Sequence, residues 1–306
     1  MLSYIIRRFM QSLIVLIIVT ICAFLIMRAA PGNPAELILP QEASPEQVRQ
    51  MEIKLGLDKP LPVQYWNYIK GVLQGDLGTS ITYRVPVSRV IWERMPNTIY
   101  LAVSTVIVGC LLAIPLGIIA GTNRGSIIDL FSMLFALLGQ SISPMWLGVL
   151  LIWFFAVNLG WLPAMGTGGI KFMIMPVLTL AYPMAASITR IARSGMVDTL
   201  SEDYITATYA KGVSRFEVYT KYALRNAMIP VSTMLGLNLG IFLAGSVVTE
   251  TVFGWSGIGH LLNQSVLQRD YPVVQSLLLI SAVMFVVINF VVDVINSFID
   301  PRLSLN

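Results

Sequence analysis

The sequence predicts an all-α protein that crosses a membrane six times. Three observations lead there. Of 306 residues, 56% are hydrophobic and only 12% are charged, whereas a soluble chain carries about a quarter charged residues. The mean hydropathy is +0.76. The apolar residues also fall into runs long enough for a bilayer core, which needs roughly 20 residues per helix. Together these exclude a water-soluble globule, a disordered chain and a secreted disulfide scaffold.

The first span, Ile5–Ala29, holds an apolar run from Phe9 to Met27 that Arg7 and Arg8 precede. It is longer than the apolar region of a signal peptide and no A-x-A site follows, so it is expected to be retained as a span. The next runs are Thr98–Gly121 and Leu130–Leu159. Gly139, Ser141, Ser143 and Pro144 inside the third predict a kink or a strong tilt. Met173–Ile191, Ile229–Thr249 and Val273–Phe298 complete the set. Pro115 and Pro183 should perturb the second and fourth spans, which a membrane bundle tolerates.

Lys and Arg in short loops set orientation. Arg7, Arg8 and Arg124 place their ends in the cytoplasm. So do Arg190, Arg193, Lys211, Arg215, Lys221 and Arg225 between spans four and five. The opposite short loops hold only Lys171 and Arg269. Both termini are expected inside. The organisation read from this is an N-terminal transmembrane helix over 1–30 and an extracytoplasmic loop domain over 31–97. A five-helix transmembrane domain over 94–298 follows, with a cytoplasmic segment over 194–228, and 299–306 is a cytoplasmic tail.

The 31–97 loop opens on Pro31-Gly32-Asn33-Pro34, a turn signal. Ser44-Pro45-Glu46 starts a helix that Gly56 stops. A second helix around Val63–Leu73 carries Tyr65, Trp66, Tyr68 and Ile69 at helical spacing. The segment reads as a small outer cap that can also serve as a docking surface.

Small residues recur four apart at Gly117, Gly121 and Gly125, and at Gly236 and Gly240, a pattern that allows close helix approach. Asn289, Asp293 and Asn296 share a face of the sixth span, and Asn238, Ser246 and Thr249 lie on the fifth run. Asn238, Ser246, Thr249, Asn289 and Asp293 are candidate pathway-lining residues, because polar groups inside a membrane tend to face a polar interior. Asp293, near the cytoplasmic end, equally fits an interfacial role. Gly254-Trp255-Ser256-Gly257 with His260 imitates a serine nucleophile and its base. Both would sit in one loop rather than on two packed helices, which disfavours an enzyme. Cys22 and Cys110 lie in apolar runs, His260 is the single histidine, and no phosphate-loop motif occurs. No metal, cofactor or catalytic site is expected in this chain, nor any nucleic-acid partner.

Between spans four and five, Ser201 with Glu202 and Asp203 reads as a helix start, and Lys211-Gly212 as its end. Ser214-Arg215-Phe216-Glu217 fits a capping box. Tyr204, Ile205, Thr208 and Tyr209 share a face of the short helix, which suggests a partner groove.

The run from Ser201-Glu202-Asp203-Tyr204-Ile205 to Ala210-Lys211-Gly212-Val213, then Ala223 to Pro230, resembles permease subunits of bacterial ABC importers. The subgroup is the dipeptide/oligopeptide/nickel type. Pro31-Gly32-Asn33-Pro34-Ala35, Leu55 to Pro60, Gly75-Asp76-Leu77-Gly78, Glu250-Thr251-Val252-Phe253, Gly257-Ile258-Gly259 and Arg269-Asp270-Tyr271-Pro272 resemble further landmarks of it. The family's E-A-A-x-x-x-G signature aligns with Thr206-Ala207-Thr208 and Gly212, without the leading Glu. Asn33, Arg225 and Ser256 also depart from the commoner residues.

The resemblance implies a type I importer permease fold in a bacterial plasma membrane. It implies a second homologous permease, two cytoplasmic ATPases that hold ATP and Mg, and an extracytoplasmic substrate-binding protein, all in membrane lipid. It implies ATPase coupling through Tyr204, Ile205, Ala207, Thr208, Tyr209, Lys211 and Gly212. Short peptides are the leading cargo, with nickel, glutathione and oligosaccharide as alternatives. An ion-coupled secondary transporter is the rival class. It would be expected to show internal repeats and a midplane ion site. The sequence shows no repeat, and no carboxylate lies mid-span.

Overall fold

The computed structural model describes residues 2–29, 39 and 43–299. The Pro31–Ala35 landmark and the tail beyond 299 lie outside them. The chain is helical throughout, and among the described residues the only β pairing is an isolated bridge between Thr79 and Pro86. The helices are α1 (Leu2–Ala29), α2 (Pro45–Leu55), α3 (Leu61–Leu73), α4 (Val87–Thr122), α5 (Ile127–Ser141) and α6 (Pro144–Leu151). They continue as α7 (Ile170–Leu200), α8 (Asp203–Ala210), α9 (Arg215–Leu243), α10 (Val247–Val252), α11 (Ile258–Leu267) and α12 (Tyr271–Ile299). Five of these are long and apolar enough to cross a membrane, and six spans result if α5 and α6 count as one.

That third span differs from a single tilted helix. It breaks at Ile142–Ser143 and bends by 100°. Pro144 opens α6, and a proline there cannot donate the N–H that would extend α5. α6 then runs on through a π-helical stretch, Ile152–Asn158.

The second span starts at Val87, so the outer loop ends at Pro86 rather than 97. Arg89, Glu93, Arg94 and Pro96 interrupt the apolar pattern there. In fact these turns are amphipathic: Val87, Val90, Ile91 and Met95 pack on Ile258, Leu261, Val273 and Leu277, while Arg89 pairs with Glu93 on the exposed side. α7 likewise runs nine residues beyond Ile191. α9 begins at Arg215, and the fifth run's expected extent to Thr249 is cut short at Leu243 by Gly245, whose φ is +104°.

α7 is the axis of the bundle. It meets α4 along small residues: a Cβ added at Gly109 would fall 2.0 Å from Met184, at Gly117 2.5 Å from Ala192, and at Gly121 2.6 Å from Met196. Gly139 of α5 stands equally close to Ala186. Gly236 and Gly240 do the same for α9 against Val292 and Phe285 of α12. Gly125 takes no part; it sits in the α4–α5 turn at φ +79° with open space around it. Lipid gives helices no hydrophobic reason to associate, so such close backbone contact and its dispersion energy hold the bundle.

α1 lies apart, against α12 and α3. Arg8 pairs with Asp293 at one end, 3.4 Å apart, and Phe9 meets Phe290 edge-on. At the other end Phe24 packs on Tyr65 and Tyr68, and the Thr20 and Tyr65 hydroxyls share a hydrogen bond of 2.8 Å. Tyr65 and Tyr68 thus face α1, whereas Trp66 is exposed.

Gly236→Leu should force α9 from α12, where overpacking costs roughly 1–3 kcal/mol. A lowered thermal midpoint in detergent is expected, with Leu111→Ala on the exposed flank as an unaffected control. Equal midpoints for both variants would contradict the packing described.

Candidate functional site

Two ends of the bundle carry the candidate residues. At the α8 end, the expected coupling helix is present as Asp203–Ala210, shorter by the first turn than the sequence suggested. Ser201 does not cap it. It ends α7 instead, its hydroxyl donating to the Val197 carbonyl at 2.9 Å, and Glu202 takes the N-cap position. Gly212 terminates the segment at φ +80°, where a side chain would be strained. Ser214 does cap the next helix, accepting the Glu217 N–H at 3.3 Å.

The predicted face divides. Ile205 points inward and is buried with Met196 of α7 and Val218, Ala223 and Ala227 of α9; Ile118 of α4 packs on the same cluster. It seats α8 on three spans. Tyr204 and Tyr209 stay well exposed. The Tyr204 hydroxyl accepts from Asn226 Nδ2 at 2.7 Å, which ties α8 to α9. Ala207 and Lys211 are exposed and Thr208 is half-buried, its hydroxyl donating to the Tyr204 carbonyl. Phe216 is 77% exposed on the turn that follows, and the sequence reading passed over it. Its position inside a capping box drew attention to Ser214 and Glu217 instead.

Between α8 and its span, α9 passes through a π-helical stretch, Val218–Ala223. Such stretches mark functional sites and strained joints more often than plain helix does. At the same end Asp129 of α5 binds Arg193 of α7 through two hydrogen bonds, to Nε and Nη2, and accepts the Gly125 N–H at 2.9 Å. A bidentate pair of this kind fixes α5 to the helix that leads into α8.

The candidate pathway residues do not form one lining. Asp293 faces Arg8 of α1, so it tethers the peripheral helix. Asn289 and Asn238 each donate to their own helix, to the carbonyls of Phe285 and Met234 at 2.8 Å. Asn296 instead binds Ser232 and Thr233 across to α9. Ser246 and Thr249 lie beyond the break at Gly245, on the approach to and within α10. Thr249 is buried there, and the buried Ser246 hydroxyl has no hydrogen-bond partner among the described residues.

The other end is organised by two buried carboxylates. Glu250 of α10 has no exposed surface. It accepts the His260 N–H at 3.0 Å and the Thr98 hydroxyl at 3.2 Å, while Thr98 accepts the Ile258 N–H. The carboxylate therefore caps the N-terminus of α11 from outside and locks α10, α11 and α4 together. Burial raises its carboxyl above the ordinary value, against the opposing pull of these hydrogen bonds. The G-x-G that follows has a steric cause. A Cβ on Gly257 would fall 2.4 Å from both Glu250 Oε2 and Thr98 Oγ1, and one on Gly259 2.9 Å from the Val247 nitrogen. Phe253 is buried against Gly148 of α6.

Asp270, also fully buried, accepts from the Ser80 hydroxyl and from the N–H groups of Ile81 and Thr82, pinning the outer loop to the start of α12. Ser256 and His260 form no catalytic pair. The His260 ring contacts Gln264, and the Ser256 carbonyl accepts from Asn97. Among the described residues no group of His, Cys, Asp and Glu could hold a metal.

Glu250→Ala should leave buried donors without an acceptor, at roughly 1–3 kcal/mol each. Gly257→Ala is expected to act like it, by displacing the same carboxylate, and Glu250→Gln to cost less because one acceptor oxygen remains. Thermal midpoints with limited proteolysis of the 245–270 region test this ranking. An unchanged Glu250→Ala protein would refute it.

The comparisons with known proteins agree along the chain. The family described as binding-protein-dependent transport system inner membrane component matches residues 113–305, and its N-terminal membrane component matches residues 1–102. The glutathione transport system permease protein GsiC of Salmonella typhimurium is 44% identical over 303 residues, covering 99% of both chains. The Escherichia coli protein of that name is 43% identical over the same length. The inward-facing MetNI methionine ABC transporter shares the fold, with a TM-score of 0.58 at 19% identity over 69% of this chain and 96% of that one. On these matches the chain belongs to the binding-protein-dependent transport system inner membrane components, the permeases of ABC importers.

Proposed function

We propose that the chain forms one half of the translocation pathway for short peptides of tripeptide size, glutathione foremost, across a bacterial plasma membrane. The observation that carries the cargo is the 44% identity to a glutathione permease along 99% of both chains. Glutathione, which the sequence leaves as an alternative to short peptides, is itself a tripeptide. A second permease supplies the other half. Two ATPases bind ATP and Mg on the α8 side, and an extracytoplasmic binding protein delivers cargo to the cap. Both termini lie in the cytoplasm, as the basic short loops favour.

Coupling follows from the seating of α8. ATP binding draws the two ATPases together and moves the helix held in their groove. Ile205 joins α8 to α4, α7 and α9 at one apolar cluster, so a shift of α8 reaches three spans together. The Val218–Ala223 stretch gives α9 a joint at which to bend. Tyr209 and Phe216 supply the apolar contact with the ATPase, and Tyr204 orients the helix through Asn226. No bond is made or broken in this chain.

Cargo is tested with the purified complex in proteoliposomes, supplied with its binding protein and internal ATP. Saturable uptake of labelled glutathione and competition by tripeptides are expected. Uptake of nickel or oligosaccharide but not of either peptide would overturn the cargo assignment.

Coupling is tested by paired variants. Tyr209→Ala with Phe216→Ala should leave the permease inserted but weaken ATPase retention, since interface anchors are worth about 2 kcal/mol or more. Ile205→Ala should instead lower the permease's own stability by roughly 2–5 kcal/mol. Normal uptake and ATPase recovery in the double variant would remove the tyrosine and phenylalanine from the interface.

A further inference from the structure

A cavity of about 310 Å³ opens at the cap end where α1, α3, the 76–81 turn and α12 meet. Arg28, Asn67, Tyr68, Asp76 and Gln275 line it. Its chemistry has two signs. Arg28 stands at the outer end of α1 with its guanidinium 5.3 Å from the centre of the Phe24 ring. Asp76 stands across from it in the turn. The two line one cavity, yet among the described residues they make no ion pair with each other. The Tyr68 hydroxyl and the Gln275 amide nitrogen are buried beneath the cavity wall and lie beside each other. Burial pushes the Tyr68 phenol up to about 12, so it remains an O–H donor at any ordinary pH. A guanidinium and a carboxylate, both exposed, thus line one space.

The flank of α1 below the cavity is apolar and uncovered. Ile21, Leu25 and Ile26 are all exposed there. An aqueous solute has no use for such a wall, whereas an acyl chain does. Arg28 also sits where a spanning helix meets the headgroup layer, a level at which long basic side chains meet lipid phosphates.

We propose that this cavity is a headgroup site for an ethanolamine phospholipid, whose phosphate meets Arg28 and whose ammonium meets Asp76. The acyl chains lie along α1. The lipid then fills the gap between a peripheral helix and the bundle and joins α1 and α3 to α12. The assignment rests on α1 spanning the membrane and is independent of the cargo.

The test uses the assembled transporter, purified in detergent and stripped of lipid, then titrated with dioleoyl phosphatidylethanolamine or dioleoyl phosphatidylglycerol and read by native mass spectrometry. The wild-type complex should retain the ethanolamine lipid about tenfold more strongly than the glycerol lipid, a margin of the size a charge-assisted contact supplies. Equal retention of both lipids would overturn the proposal without any variant. Arg28→Gln should weaken both lipids. Asp76→Asn should abolish the preference alone, because its side-chain oxygen still accepts the Gly78 N–H, now 2.9 Å from Oδ1, and the turn survives. Unchanged retention in Arg28→Gln, with the complex intact by mass, would also overturn it. So would displacement of the lipid by equimolar O-phosphoethanolamine or glutathione, which would make the occupant a soluble zwitterion.

Discussion

The closeness of α4 and α7 is the constraint on which the rest of the molecule depends. Inside a bilayer the oily faces of two helices gain nothing by leaving lipid for each other. What remains is dispersion at short range, and that requires backbones with nothing between them. Gly109, Gly117 and Gly121 provide this on one side, and Ala181, Ala185 and Ala192 on the other. With α7 fixed in place, α5 attaches through Gly139 and Asp129, α9 through Ala227 on Gly195, and α8 through Met196. The helix that carries most of the packing also leads directly into α8, the proposed coupling helix. A rigid axis would carry a displacement of α8 into the rest of the bundle.

Buried carboxylates perform the corresponding task at the cap. Glu250 and Asp270 are acceptors for backbone donors that the tight turns around them leave without partners. An ionisable group without exposure is costly unless it is fully hydrogen-bonded. Here each one satisfies several N–H groups at once, and each joins segments far apart in the chain. The acidic positions in the two landmark motifs thus have a structural cause that precedes any contact with a partner.

The sequence revealed the spans because lipid demands long apolar runs, and the third run's Gly, Ser and Pro residues marked the place where it bends. It revealed less wherever a helix left the membrane. Val87–Asn97 is charged and amphipathic, so its continuity with the second span could not be seen in hydropathy, whereas the capping box at Ser214 marked the helix that runs into the fifth. Tyr204, Ile205 and Tyr209 share a helical face by periodicity, yet burial separates them, because which side faces the bundle is set by α7 and α9. Asp293 fitted a pathway or an interfacial role, and its partner Arg8 lies far away in sequence. Glu250 and Thr98 stand 152 positions apart, and Asp270 and Ser80 stand 190 apart. No local pattern announces such pairs.

The pairing of α1 with α12 has a consequence for how the protein is made. Among the described helices, α1 is made well before its main helical neighbour α12, since Arg8 and Phe9 meet Asp293 and Phe290. Translation at about 5–20 residues per second separates these two events by roughly 15–60 s. A nascent chain cut short before α12 would lack the Asp293 and Phe290 contacts of α1.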